Sequence, residues 1–339
     1  MHTSPLDLVR LLAVPFLAWA AWTDLRTRRI PNRVWRPVFL VAGASLAVEL
    51  WGLLGRVGTV SARIELAAMA ISVGVIGPLA YLFWAFGGFG GADAKAVLAM
   101  ALFVPTYPSY HLFGYRLPLH PTGLDSFAFT FFVNTVVVGA VFPLVLVAAN
   151  LARGHVSWLA LFGRRVDSDS VAQRHGRLLE TPSGTTLSGL DLDALRMYLT
   201  WRDATLAEVR DAPARFRDPD SLPAERAAPG DGRVATDGGE RIDDDETGSA
   251  TRDPDGTAGD GPPSGADFDD PWAAERFLAE IDGSAYGTDP ETLRAGLDTL
   301  TARDRVWYSP GFPYVVPMLG GLLLGLTVGD LLTIALSLL

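Results

Sequence analysis

Asp24 and Asp93 are the residues through which this 339-residue chain could do chemistry. Asp24 closes a long apolar segment, in AAWTDLRTRRIPN, and Asp93 follows a glycine run, in FGGFGGADAKAVLAM. An ionisable side chain at a membrane boundary is costly unless it is paired or wetted, so each is a functional candidate by default. Two carboxyls on one membrane face can share a proton, and such a dyad performs the chemistry of an aspartic protease. Their settings differ. Asp24 sits at a helix C-terminus, where the helix dipole disfavours an anion, and Asp93 near a helix N-terminus, where it favours one. The expectation is an unequal pair, with Asp93 ionised and Asp24 holding the shared proton, whose apparent pKa values belong to the pair.

The elements that must position them are hydrophobic. The chain is 49% apolar with a mean hydropathy of +0.24, and its apolar residues are clustered. That composition predicts an all-α polytopic membrane protein. Six apolar segments, at roughly 5–23, 36–55, 64–86, 94–108, 126–151 and 312–338, read as about six transmembrane helices. Most approach the ~20 residues needed to span the hydrocarbon core. The fourth is short and ends at Pro105 and Pro108, so it spans thinly, tilts or re-enters. The first ends in Asp24 and arginines rather than a small-residue cleavage site, which reads as a retained helix and not a signal peptide. With no cysteine in the chain, disulfides, Cys-ligated zinc, iron–sulfur clusters and a Cys nucleophile are excluded.

Arginine sets the expected orientation. Arg26, Arg28, Arg29, Arg33 and Arg36 crowd the first loop, and Arg153, Arg164 and Arg165 follow the fifth segment, whereas the intervening loops carry only Arg56, Arg63 and Arg116. The positive-inside rule then places 24–35, 87–93 and 152–311 in the cytoplasm and both termini outside. Trp307 and Tyr308, before the last segment, read as aromatic-belt residues. The same topology puts Asp24 and Asp93 at one depth on the cytoplasmic side. Glu49 and Asp330 fall toward the other side, the latter about 27 Å along its helix from Phe312, and read as acids snorkelling near an interface.

Three domains are expected: 1–151 as a five-helix catalytic region, 152–306 as an acidic cytoplasmic insert, and 307–339 as the final membrane helix. Within the insert, 190–211 has the spacing of an amphipathic helix, 212–268 is rich in Pro, Gly, Asp and Ser and reads as disordered, and short helical stretches at 271–281 and 290–303 can pack on the first. The formal net charge is −10 and Lys95 is the only lysine. Such a lysine-poor acidic segment suits a salt-rich, halophilic cytoplasm, where charge is screened; a GC-biased coding composition produces the same exchange of lysine for arginine. An acidic balance gives no support for nucleic-acid binding.

The glycines beside Asp93 (Gly87, Gly88, Gly90 and Gly91) permit positive φ and close backbone approach, so an extended peptide could lie against the loop. They also fit a plain helix breaker. Irregular backbone at membrane depth must line a wet cavity or be buried in protein, which suits hydrolysis. Gly90, Gly91, Ala92 and Lys95 flank Asp93; Lys95 reads as snorkelling to lipid phosphate. Pro31 and Asn32, in Ile30-Pro31-Asn32, read as a turn and the start of the second helix. The five histidines show no HExxH spacing, and there is no GxSxG elbow and no phosphate-binding GxxxxGK[ST] loop.

DLRTRRIPN at 24–32 followed by GGADAK at 90–95 resembles the two active-site motifs of type IV prepilin and prearchaellin peptidases, six-helix intramembrane aspartic proteases of the GxGD class. The segment WYSPGFPYVVPM at 307–318 is similar to the end of the archaeal type. The resemblance covers about 1–150 and 305–339. It implies an aspartic endopeptidase that cuts the short basic leader of pilin or archaellin precursors at the cytoplasmic face of the plasma membrane, with Asp24 and Asp93 catalytic and no metal or cofactor. Position 92 is alanine where the commonest motif has its second glycine. The cysteine-containing N-terminal domain of the bacterial enzymes is absent, so cleavage without N-methylation is expected. The insert at 152–305 has no counterpart in minimal family members. Presenilin-like GxGD proteases fit less well, because Thr23 precedes Asp24 and no Pro-Ala-Leu motif is present. From the residues alone two other classes stay open: a carboxylate-based proton-coupled transporter, and a non-catalytic membrane anchor for the acidic region.

Overall fold

The structure, a computed structural model, describes residues 4–86, 88–112, 114–120, 125–223, 226–232, 270–281 and 285–338. It is mostly helical and divides into two compact units, Met1–Leu144 with Phe312–Leu339, and Val145–Gly311.

In the first unit, Pro5–Thr27, Asn32–Leu54 and Val60–Ala85 form helices long and apolar enough to cross a membrane, and Phe127–Leu151, which runs on into the second unit, is a fourth. The segments expected at 94–108 and 312–338 form shorter helices. Gly91–Phe103 has 13 residues, about 20 Å of rise, after which the chain is extended through Pro105. Val315–Thr327 also has 13 residues. The expected single last helix is broken: Gly329 takes φ +107, and Asp330 caps a separate helix, Leu331–Ser337, by accepting from the Thr333 amide at 2.6 Å. The third helix contains a π-turn at Ser72–Ile76 immediately before Gly77-Pro78. Proline has no N–H to continue the i→i−4 ladder, so the helix widens there.

These helices close over one core built on Leu17, Ala20, Ala21, Trp35, Ala96, Met100, Phe131 and Met318, all buried. Small residues dominate the close contacts. A Cβ on Gly321 would lie 2.7 Å from the Thr135 amide nitrogen, so the last apolar helix needs glycine there to lie against the fifth. A short hairpin, β1 (Tyr110–Leu112) and β2 (Tyr115–Leu117), follows the helix Gly91–Phe103, the fourth in chain order.

The second unit is a folded α+β body, which the all-α reading did not include. Strands β3 (Arg164–Asp167), β4 (Arg177–Leu178) and β7 (Arg305–Ser309) form an antiparallel sheet of order β3-β7-β4, and β5 (Glu180–Thr181) pairs with β6 (Gly184–Thr185). These strands are two to five residues long, too short to show alternation among their arginines. The helix expected over 190–211 is two helices, Leu192–Trp201 and Leu206–Asp211. Asp203 turns the chain at φ +50, and Thr205 with Glu208 forms a capping box that starts the second helix. Phe277, on Ala274–Glu280, packs edge-on to Tyr198 at 5.4 Å, and Leu293 and Leu297 of Pro290–Ala302 complete the core.

Two sequence expectations change here. Disorder does not begin at 212: Pro213–Arg217 is helical, Phe216 is buried, and Arg217 bridges to Asp298 at 2.5 Å. An aromatic and two flanking arginines supplied enough contact to outweigh the local Pro and Asp content. Residues 224, 225 and 233–268 of that stretch lie outside the described residues. Trp307 and Tyr308 are not belt residues; both are buried in β7, where Trp307 packs with Leu159, Ala160 and Leu179.

Candidate active site

The first helix ends at Thr27, with Asp24 in its last turn, and Arg28 adopts the left-handed conformation (φ +56) while its amide donates to the Asp24 carbonyl at 2.9 Å. That cap turns the chain into Ile30-Pro31-Asn32, and Ile30 drops into the core. Pro31 N-caps a single 3₁₀ turn, Asn32–Val34, that opens the second helix.

Asp93 stands at the third position of the helix Gly91–Phe103. The Gly90 amide donates to its Oδ2 at 3.0 Å, so the carboxylate reaches back to cap its own helix. The described glycines of the run do not use positive φ: Gly90 is extended, at φ −67 and ψ 160. Its glycine requirement is steric instead. A Cβ at position 90 would lie 3.0 Å from Asp93 Oδ2, whereas one at Gly91 would meet only Trp84 at 3.9 Å. Ala92 is partly buried against the core, which accommodates the methyl group in place of the motif's second glycine.

The two motifs meet. Lys95 does not snorkel to lipid; its Nζ donates to Asn32 Oδ1 at 2.6 Å, joining the fourth helix to the turn after the first. Asp24 and Arg28 both lie within electrostatic range of Asp93. Neither carboxylate has an ion pair among the described residues, and Asp24 has no side-chain hydrogen bond among them. Both are half-buried. Arg26 is occupied elsewhere, with its guanidinium 4.2 Å over the Trp22 ring.

Three contributors were not singled out from the sequence. Phe89 stacks on Phe83 at 5.0 Å and meets the Tyr314 ring edge-on at 5.2 Å, and the Gly88 and Phe89 amides both donate to the Phe83 carbonyl. This pins the loop that delivers Asp93. Tyr314 itself falls within electrostatic range of Asp93. Arg28 is the third. An aromatic embedded in the glycine run, FGGFGG, was the available signal for Phe89.

Glu49 and Asp330 are not snorkelling acids. Arg10 binds Glu49 and Asp7 together, with Asp7 at 3.1 Å, and Thr106 hydrogen-bonds both Arg10 (3.2 Å) and Glu49. Asp330 is 2% exposed, accepts from Thr130 Oγ1 at 2.9 Å and caps the closing helix. A buried acid with a cation or donors at hand gains more from pairing than from stretching to an interface. Among the described residues, no group of three or more His, Asp or Glu is placed to hold a metal ion.

No curated protein matches the chain. Residues 11–144, which carry Asp24, Asp93 and every residue just described between them, match the type IV leader peptidase family. That match supports assigning this membrane region to the type IV leader peptidase family.

Proposed function

We propose that this leader peptidase is an intramembrane aspartic endopeptidase that removes the basic leader of type IV pilin-like or archaellin precursors at the cytoplasmic membrane face. The observation that carries the reading is the convergence of Asp24 and Asp93 from two helix ends, held in register by the Lys95–Asn32 bond. Two carboxyls close enough to interact can share one proton. The ionised member takes a proton from a water molecule as that water attacks the scissile carbonyl. The protonated member gives its proton to the departing amide nitrogen. Water is consumed, one C–N bond breaks, and the pair returns to its starting protonation.

The surroundings suit a chain in extended form. The backbone at 88–90 is non-helical and Gly90 presents no side chain, so a substrate strand can approach the Asp93 carboxylate closely. Cleavage is expected without N-methylation. A lysine-poor acidic exterior fits work in a salt-rich cytoplasm.

The test is cleavage of a pilin-like precursor carrying a basic leader by the full-length protein in phospholipid vesicles. Cleavage lost in both Asp24→Asn and Asp93→Asn, with protein folded, supports the dyad. A fully active variant of either excludes it. Cleavage on the far side of the vesicle from the second unit would overturn the assigned face.

A further inference from the structure

The segment 156–163 directly follows the membrane helix Phe127–Leu151 and presents apolar side chains outward. Val156 is 84% exposed, Trp158 52%, Leu161 45% and Phe162 43%. Nothing in the sequence reading used these residues, and the aromatic-belt role it gave Trp307 and Tyr308 is vacant because both are buried in the sheet. Trp158 and Phe162 stand together, ring centroids 6.0 Å apart.

The segment is fastened to the end of the helix it follows. Asn150, 2% exposed, donates from its side-chain amide to the carbonyls of Ala160 (3.1 Å) and Gly163 (2.8 Å), and the His155 amide returns to the Asn150 carbonyl at 2.9 Å. Ser157 caps a 3₁₀ turn, Trp158–Leu161, whose Leu159 and Ala160 face inward against Leu179 and Trp307. The turn thus has a buried face and an outward apolar face, and Asn150 holds it within one short stretch of chain from the end of a bilayer-spanning helix. Four residues lie between Leu151 and Val156, and the five steps span at most about 17 Å of extended chain.

Basic charge flanks this patch and, like Arg174, Arg202, Arg215 and Arg276 elsewhere in the unit, has no acidic partner among the described residues, whereas other arginines do. Arg196, Arg210, Arg217, Arg294, Arg303 and Arg305 all pair with acids. Arg164 and Arg165, exposed beside Phe162, and Arg153, which donates to the Ala149 carbonyl, have no acidic partner among the described residues. A tryptophan with neighbouring apolar side chains and unpaired arginines is the composition that sits at the headgroup level of a bilayer.

We infer that Val156, Trp158, Leu161 and Phe162 form an interfacial anchor that inserts into the bilayer surface, with Arg153, Arg164 and Arg165 on lipid phosphates, and that it ties the start of the second unit to the membrane. The absence of cysteine makes the test direct. Single variants Leu161→Cys, Phe162→Cys and, as an aqueous reference, Ser183→Cys of the full-length protein are nitroxide-labelled in phospholipid vesicles. Collision with oxygen, which partitions into lipid, is compared with collision with a water-soluble nickel chelate. Labels at 161 and 162 should favour oxygen, and the label at 183 should favour nickel. If 161 and 162 behave like 183, the anchor does not exist. If they are shielded from both reagents, a protein surface covers the patch and the lipid assignment fails. Trp158→Phe supplies a label-free check: it should remove part of the fluorescence quenching caused by lipids brominated near the headgroup, and unchanged quenching overturns the proposal.

Discussion

The two ends of the first helix hold acids in opposite circumstances. At its start, Arg10 binds Asp7 and Glu49 together, Thr106 joins the cluster, and the Tyr110 hydroxyl donates to the Asp7 carbonyl at 2.9 Å. At its end, about 21 Å further along, Asp24 and the Arg28 charge lie within electrostatic range of Asp93, and apart from the Gly90 amide on Asp93 there are no hydrogen bonds to either side chain among the described residues. A buried acid surrounded by donors is satisfied and holds structure. Two acids placed near each other without dedicated partners carry a cost that folding alone does not require, and the proposed dyad rests on that pattern. Apolar surroundings and depth do not distinguish the ends; partners do.

The comparison fails or sharpens under substitution. The largest effect is expected from Asp24→Asn or Asp93→Asn: peptidase turnover should fall by about 10²–10⁴-fold, with thermal stability in detergent unchanged or raised. Loss of fold instead of activity would make these acids structural like Glu49. Next, Arg10→Met should lower stability by about 3–5 kcal/mol, because it leaves two buried carboxylates unpaired. Adding Glu49→Gln should recover part of that loss. Thermal unfolding of the full chain measures both, and a stable, inactive Arg10→Met protein would erase the contrast between the ends.

A smaller effect belongs to Gly90→Ala. The new methyl group would press on Asp93 Oδ2, and a displacement of a few tenths of an ångström should reduce kcat about tenfold with little change in melting temperature. An unchanged kcat would show that the Gly90–Asp93 approach is incidental. Lys95→Met, which cuts the Asn32 link, should cost about 1–2 kcal/mol or less of site rigidity, read as a modest fall in kcat that Lys95→Arg partly restores.

The second unit supplies a satisfied acid as a control. Burial pushes the Asp270 carboxyl up, but Arg294 and the amides of Glu275 and Arg276 outweigh it and hold it below the ordinary carboxylate range. Its folded-state value is depressed, so its contribution is fully present above the unfolded value of about 3.9. It is lost as pH falls through the depressed folded value. The acid limb of a stability–pH curve for the full chain should therefore flatten in Asp270→Asn, while the pH dependence of cleavage keeps its shape. A shifted cleavage profile would mean that the second unit's acids act on the site.

Most of the membrane architecture was legible in the sequence, because a run of apolar residues long enough to cross a bilayer has few other stable fates. The two aspartates proposed as the dyad stood out in the sequence because a charge at such a boundary is rare. The readings that failed concern partners distant in sequence. Glu49 and Arg10 are 39 residues apart, and Asp330 and Thr130 are 200 apart, so nothing local announces that these acids are satisfied. The break at Gly329, the split at Asp203 and the ordering of 213–217 were decided by caps and by a core assembled from both ends of the insert.

The sequence alone determined that this chain lives in a membrane, that Asp24 and Asp93 stand at helix boundaries, and which family's motifs surround them, since composition, helix ends and short motifs are local properties. Only the tertiary structure decided that Lys95 ties Asn32 to the Asp93 helix, that Gly90 is small to admit a carboxylate, that Trp307 is buried while Trp158 is exposed, and that Glu49 and Asp330 are already paired. Those outcomes depend on which side chains meet across the fold, and a one-dimensional pattern does not carry that information.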